Sequence, residues 1–203
     1  MIEALYSDSV EPEYYLGSSV FVNKKNIKDP EKLKSIESDV SLLRSLELLQ
    51  NPDVLKKTYD FNHLKSIHQF LFQDLYAWAG KPRSFDMLKN GDIFTRAKEL
   101  QHYEKEVFEE SKAFSLLKNQ PTHTEAVKSL TTSIRKINAF HPFPEGNGRT
   151  QRVFISTLAK EHGYSVDWKS VETWEAPEIF HQAHIGNNEP LELMFDKILI
   201  IKA

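Results

Sequence analysis

Among the chain's 203 residues, one stretch leaves little freedom of fold: His141-Pro142-Phe143-Pro144-Glu145-Gly146-Asn147-Gly148-Arg149-Thr150-Gln151-Arg152. Before it, Thr122-x-x-Glu125 is a capping-box pattern, and Val127, Leu130, Ile134 and Ile137 recur at helical spacing, so a helix over 122–140 delivers the chain to His141. After it, Val153, Phe154 and Leu158 resume the repeat and predict a helix over 147–162 that ends at Gly163. Gly146 and Gly148 permit positive φ and close approach of backbone to a ligand. The segment is a loop that runs into a helix N-terminus.

Unpaired N–H groups and the positive end of the helix dipole make such a terminus an anion site. Arg149 and Arg152, three apart on the first turns, can fork onto phosphate oxygens. Glu145 beside a polyphosphate would be repelled unless a hard cation such as Mg²⁺ bridged the two. His141 has the side chain whose ordinary pKa suits proton abstraction near neutral pH. A base, a metal ligand and a phosphate cradle therefore stand together within twelve residues.

These residues match His-Pro-Phe-x-(Asp/Glu)-Gly-Asn-Gly-Arg-x-x-Arg at every fixed position, and on that motif the chain resembles the Fic (filamentation induced by cAMP) family. The resemblance implies a mainly α, Fic-type helical bundle with a small β-hairpin flap near the active site. It implies a protein adenylyltransferase that moves AMP from ATP to a Ser, Thr or Tyr hydroxyl and releases pyrophosphate. His141 would be the base and Glu145 would hold Mg²⁺. Gly146, Asn147 and Gly148 would form the anion hole, with Asn147 also at the α-phosphate. Arg149 and Arg152 would hold the β- and γ-phosphates, with Thr150 and Gln151 completing the phosphate-binding segment. Transfer of phosphate or of another nucleotide from the same site, or a non-catalytic helical interaction module, stay open as alternatives.

Upstream, Pro82, Asn90-Gly91 and the alternation at Phe85 and Met87 predict a hairpin turning at Asn-Gly within 81–94. Trp78-Ala79-Gly80-Lys81-Pro82-Arg83 is similar to the entry of the family's flap, and this similarity makes Lys89, Asn90, Gly91, Asp92, Ile93 and Phe94 site lining. A target protein would lie along that edge by main-chain pairing.

The rest reads as helices. Asp29-Pro30-Glu31 opens one over 30–50 with Leu33, Ile36, Val40, Leu43 and Leu46–Leu48 as its apolar repeat, and Asn51-Pro52 stops it. A second is expected over 61–79, striped by Leu64, Ile67, Leu71, Leu75 and Trp78 and capped by Gly80, with His63 and His68 structural or on the surface. Others follow over 96–117, 176–186 and 190–201, and His181 and His184 read as a polar surface pair. Residues 1–28 form an irregular lead-in with one short strand at Val20–Val22, and 29–203 a single domain.

Net charge of −3 with dispersed Lys and Arg argues against direct nucleic-acid binding, and the absence of cysteine excludes disulfides and thiol catalysis. With no leader-like start and no apolar run near 18 residues, the expected location is the cytoplasm, with secretion as an effector the other course. The family's inhibitory Ser/Thr-x-x-x-Glu-Gly/Asn pattern is completed neither at Ser7–Glu11 nor at Ser9–Glu13. Restraint is therefore expected from a separate small antitoxin that sets a glutamate against Arg152.

Overall fold

The computed structural model describes residues 6–51, 53–89, 91–171 and 176–201. The first helix, α1 (Pro30–Gln50), starts where Asp29 accepts from the Lys32 N–H at 2.7 Å and has Pro30 in its first turn. Its inward face differs from the apolar repeat. Leu33, Glu37, Ser41 and Leu48 are buried, whereas Leu43 is 67% exposed and Leu46 47%. A buried carboxylate on a helix needs a partner, and that partner lies in the site described below.

Helix α2 (Phe61–Phe72) ends seven residues before the expected stop. The Phe72 carbonyl accepts from both Leu75 and Tyr76 N–H groups, which tightens the chain into successive turns, yet Leu75 and Trp78 stay buried there. Gly80, at φ +85°, acts as a packing contact rather than a helix cap, since a Cβ on it would stand 2.9 Å from Gln69 Cβ.

The hairpin pairs β1 (Leu88–Lys89) with β2 (Asp92–Ile93), antiparallel, in the register Leu88 to Ile93 and Lys89 to Asp92. Gly91 turns it at φ +88°, and Asn90 lies outside the described residues. A 3₁₀ turn at Ala97–Glu99 leads into α3 (Leu100–Ser115). Helix α4 (His123–Phe140) carries the complete capping box between Thr122 and Glu125, and α5 (Asn147–Lys160) follows the loop.

After Gly163, β3 (Tyr164–Val166) precedes α6 (Ala176–His184) and α7 (Glu189–Ile198), and β4 (Leu199–Ile201) closes on β3. The end of the last expected helix is thus a strand, because Leu199 to Ile201 pair with Tyr164 to Val166 instead of continuing α7. In the lead-in, Tyr14 and Phe21 form a single antiparallel bridge and Val10 pairs with Arg83.

Helix α4 packs against α3, α5 and α7, and α2 against α1 and α5. Phe61, Phe108, Phe140 and Phe154 interlock at the centre, with ring centroids 5.1 Å apart for Phe61 and Phe140 and 5.8 Å for Phe108 and Phe154. Each fully buried ring of this kind contributes about 1.5–3 kcal/mol. The loop between α4 and α5 is anchored in that core by Phe143, which has no exposed surface.

Candidate active site

His141 caps α4 in the left-handed region, at φ 42° and ψ 60°, with its N–H still donating to the Ile137 carbonyl at 3.1 Å. This conformation is costly for a non-glycine residue and marks a position determined by its surroundings. The Nδ1 atom lies 3.2 Å from the Asn138 carbonyl. A carbonyl oxygen can only accept, so the neutral ring carries its proton on Nδ1 and its lone pair on Nε2. Phe94 stacks on the ring at 3.8 Å between centroids.

The turn that follows is closed by Asn147. Its side-chain oxygen accepts from the Phe143 N–H at 3.0 Å and its amide donates to the Phe143 carbonyl at 2.7 Å. Gly146 caps α5 at φ +79°, and a Cβ there would overlap the Phe72 ring. Thr150 is buried and donates from its hydroxyl to the Gly146 carbonyl at 2.9 Å, so it supports the turn from behind. Glu145 accepts the Gly146 N–H at 2.8 Å while its side chain stays 46% exposed.

His141, Glu145, Asn147, Gly148, Gln151 and Arg152 all line one cavity of about 620 Å³, a size typical of small-ligand sites. The lining also includes an apolar set, Ile134, Trp168, Val171, Phe180 and Met194. From the hairpin, Asp92 and Phe94 line the cavity, while Ile93 projects outward at 69% exposure. Arg149 is not in the cavity wall. Its guanidinium turns to α1, where Nη2 pairs with Glu37 Oε1 and Nη1 donates to Ser41 Oγ at 3.1 Å. Two arginines three apart at the N-terminus of α5 thus face different partners.

Two buried residues support this arrangement. His68 accepts the Gly80 N–H on Nδ1 at 2.8 Å, so its Nε2–H donates to the Glu145 carbonyl at 3.0 Å. Burial pushes its pKa down to about 3, which keeps the ring neutral, and it stacks on Phe143 at 3.9 Å. Arg83, fully buried, donates from Nε to the His141 carbonyl at 2.8 Å and from its two terminal nitrogens to the carbonyls of Phe85 and Thr95. It joins both feet of the hairpin to the base's own backbone. Burial lowers its pKa to about 10, so it remains charged.

His181, on α6, hydrogen-bonds Asp92 at 2.7 Å, and His184 meets the Phe94 ring edge-on at 6.0 Å. Both histidines are half-buried against the hairpin, which corrects the surface-pair expectation. The sequence signal for these supports was weak, since a buried His or Arg is recognised by its partners and those are distant in the chain.

The Fic/DOC family model matches residues 58–159. The chain is 32% identical to the protein adenylyltransferase VbhT of Bartonella schoenbuchensis over 96% of its own length, spanning 40% of that protein. It is 31% identical to the probable protein adenylyltransferase y4lH of Sinorhizobium fredii, covering 92% of this chain and 94% of that one. Among solved structures, the fold resembles the N-terminal Fic domain of a VirB-translocated Bep effector from Bartonella quintana, solved with bound ADP, at a TM-score of 0.85 and 23% identity over 93% and 94% of the two chains. BepC of Bartonella tribocorum, solved with bound AMPPNP, superposes at a TM-score of 0.84 and 22% identity, over 94% and 97%. With its helical bundle, its hairpin and its intact loop between α4 and α5, the chain belongs to the Fic/DOC family.

Proposed function

We propose that this protein is a protein adenylyltransferase that transfers AMP from ATP to a hydroxyl of a target protein. The observation that carries the reading is the shared cavity, whose lining includes His141, the turn residues Asn147 and Gly148 at the α5 terminus, and Arg152. Curated relatives that match along most of this chain carry the name protein adenylyltransferase.

In this scheme His141 Nε2 takes the proton of the target hydroxyl. The hydroxyl oxygen forms a bond to the α-phosphorus as the bond from that phosphorus to the bridging oxygen breaks, and pyrophosphate leaves. The Gly146–Gly148 backbone and the α5 terminus face the developing negative charge, which is where preorganised N–H dipoles act most strongly. Arg152 holds the terminal phosphates. The apolar wall of Trp168, Val171, Phe180 and Met194 takes the adenine ring. The hairpin edge, with Leu88 and Ile93 about two-thirds exposed, receives an extended target segment.

Glu145 fits Mg²⁺: a half-exposed carboxylate at the cavity edge beside a phosphate site is the single protein ligand such an ion commonly takes, the remainder being phosphate and water. When bound, the ion would supply charge neutralisation on the phosphates. An antitoxin-like partner would set a glutamate against Arg152, with the enzyme acting in the cytoplasm of its own cell or of a host. No helix among the described residues is long and apolar enough to cross a membrane.

The deciding experiment incubates the protein with Mg²⁺ and a cell lysate, using ATP labelled at the α- or the γ-phosphate. Transfer of α-label with an added AMP mass, abolished in His141→Ala, is the expected result. Transfer of γ-label alone would make it a phosphotransferase, and transfer by His141→Ala near the wild-type rate would overturn the role of the base.

A further inference from the structure

We infer that Glu37 of α1 is a positioning residue of the nucleotide site: together with Tyr76 it holds Arg149 as a strut beneath the α5 terminus, so that Arg152 and not Arg149 is presented to the phosphates. The inference rests on the adenylyltransferase reading for the identity of the ligand, and on the geometry for the strut itself.

Glu37 is 8% exposed and both its oxygens are engaged, Oε1 by Arg149 Nη2 and Oε2 by the Tyr76 hydroxyl. Burial, with the neighbouring Glu37 carboxylate, raises the Tyr76 pKa, so the phenol stays a donor. Arg149 also reaches Ser41 Oγ at 3.1 Å and the Glu37 carbonyl at 3.4 Å through Nη1, and its guanidinium lies 4.8 Å from the Phe72 ring centroid. Phe72 is the ring that Gly146 packs upon. One arginine therefore ties α1, α2 and the start of α5 together.

A swing of Arg149 toward a phosphate would leave a buried carboxylate without its cation, a large cost. It would also forfeit the ring contact and the Ser41 bond. Arg149 Nη2 lies 3.5 Å from Glu145 Oε1 as well, so its charge is shared between the buried Glu37 carboxylate beneath the turn and the Glu145 carboxylate at the cavity edge. By contrast, Arg152 stands in the cavity wall, and Gly148 beside it leaves the approach open, since even a Cβ there would be 3.9 Å from Arg152 Nη1. The unusual polar face that α1 turns inward, Glu37 with Ser41, is explained by this strut.

The test compares Arg149→Met, Glu37→Gln/Arg149→Met, Arg152→Ala and Glu37→Gln/Arg152→Ala. Melting temperature of the free protein and the ratio of ATP to adenosine affinity by calorimetry are read for each. Arg149→Met alone should lower the melting temperature by roughly 6 °C or more and the affinity ratio by about tenfold, because an unpaired buried carboxylate then sits behind the cradle. Adding Glu37→Gln should recover at least half of the melting loss and bring the ratio to within about threefold of wild type, since removing both members of a buried pair is far milder than removing one. The same addition should do nothing for Arg152→Ala.

A double variant that keeps the low ratio of Arg149→Met would make Arg149 a phosphate ligand and overturn the inference, as would melting losses that simply add. Failure of the wild type to bind ATP would sink the adenylyltransferase reading instead, and the melting comparison alone would then decide the strut.

Discussion

The loop at 141–148 and the hairpin at 88–93 face one cavity but are held in opposite ways. Every turn of the loop is fixed from within the core: Phe143 is buried, Asn147 closes on it twice, His68 holds the Glu145 carbonyl, and Gly146 packs on Phe72. The hairpin is two residue pairs long, shows Leu88 and Ile93 to solvent, and is tied down at its feet by Arg83 and at its side by the contact between Asp92 and His181. On the proposed adenylyltransferase reading, chemistry common to any target would sit in the firmly held loop and recognition of a particular target where few contacts fix the side chains, so substitutions in the two regions should fail in different measurements.

The largest effect should come from His141→Ala. Loss of the proposed general base is expected to cut transfer by about 10²- to 10⁴-fold while ATP affinity stays within a few-fold, because the groups proposed to face the phosphates come from 145–152. Single-turnover rates alongside calorimetry would check this. Loss of ATP affinity matching the loss of rate would mean that the base cannot be separated from the cradle.

Next is a matched pair. Gly146→Ala combines a positive φ with overlap against the Phe72 ring, and should destabilise by about 2–5 kcal/mol. Gly91→Ala has a similar φ, +88°, with nothing within 4 Å of the new Cβ, and should cost only about 1–2 kcal/mol. Denaturant titration of both measures the difference directly. Equal losses would break the contrast between an over-determined loop and a lightly held hairpin.

How far this could be read beforehand follows the range of the interactions. Helices α1, α4 and α5 were legible because their starts are local: Asp29-Pro30, Thr122 with Glu125, and the glycine turn each signal within four residues. The early end of α2 was not, because the apolar spacing of Leu75 and Trp78 continues through turns that bury them equally well. The pairing of β3 with β4 joins segments of three residues some 35 positions apart, too short to show alternation. In the site, motif spacing brought out the cavity-facing groups, yet spacing alone placed Arg149 and Arg152 together. Arg149 instead pairs with Glu37, more than a hundred residues upstream, at a position that reads as an ordinary polar face of a helix.

The pH response sharpens the rigid half of the comparison. Burial lowers the pKa of His68 to about 3 and of His63 to about 4, both from an ordinary 6.5. A histidine whose folded pKa is depressed binds its proton more readily when unfolded, so stability is fullest above about 6.5 and falls as pH drops from there toward 3–4. The slope should approach about 1.4 kcal/mol per pH unit for each such ring. His68→Gln, whose side-chain amide can still donate to the Glu145 carbonyl, should reduce that slope by one proton's worth. Urea unfolding at pH 7.5, 6 and 5 would show it, and an unchanged slope would mean that His68 is not the neutral clamp described.

The smallest effect on stability, and the most selective on function, belongs to the hairpin. Leu88→Ser and Ile93→Ser remove side chains that are 68% and 69% exposed, so unfolding free energy should move by no more than about 0.5 kcal/mol. ATP affinity should be unaffected, because Ile93 points away from the cavity and Leu88 is not in its wall. If an extended target segment lies along this edge, the two apolar side chains meet its alternate residues, and each loss should raise the KM for the target several-fold with kcat for AMP transfer little changed. A change confined to kcat would instead place the hairpin's effect on His141, through Phe94 stacked against its ring, and would make flap and loop one unit.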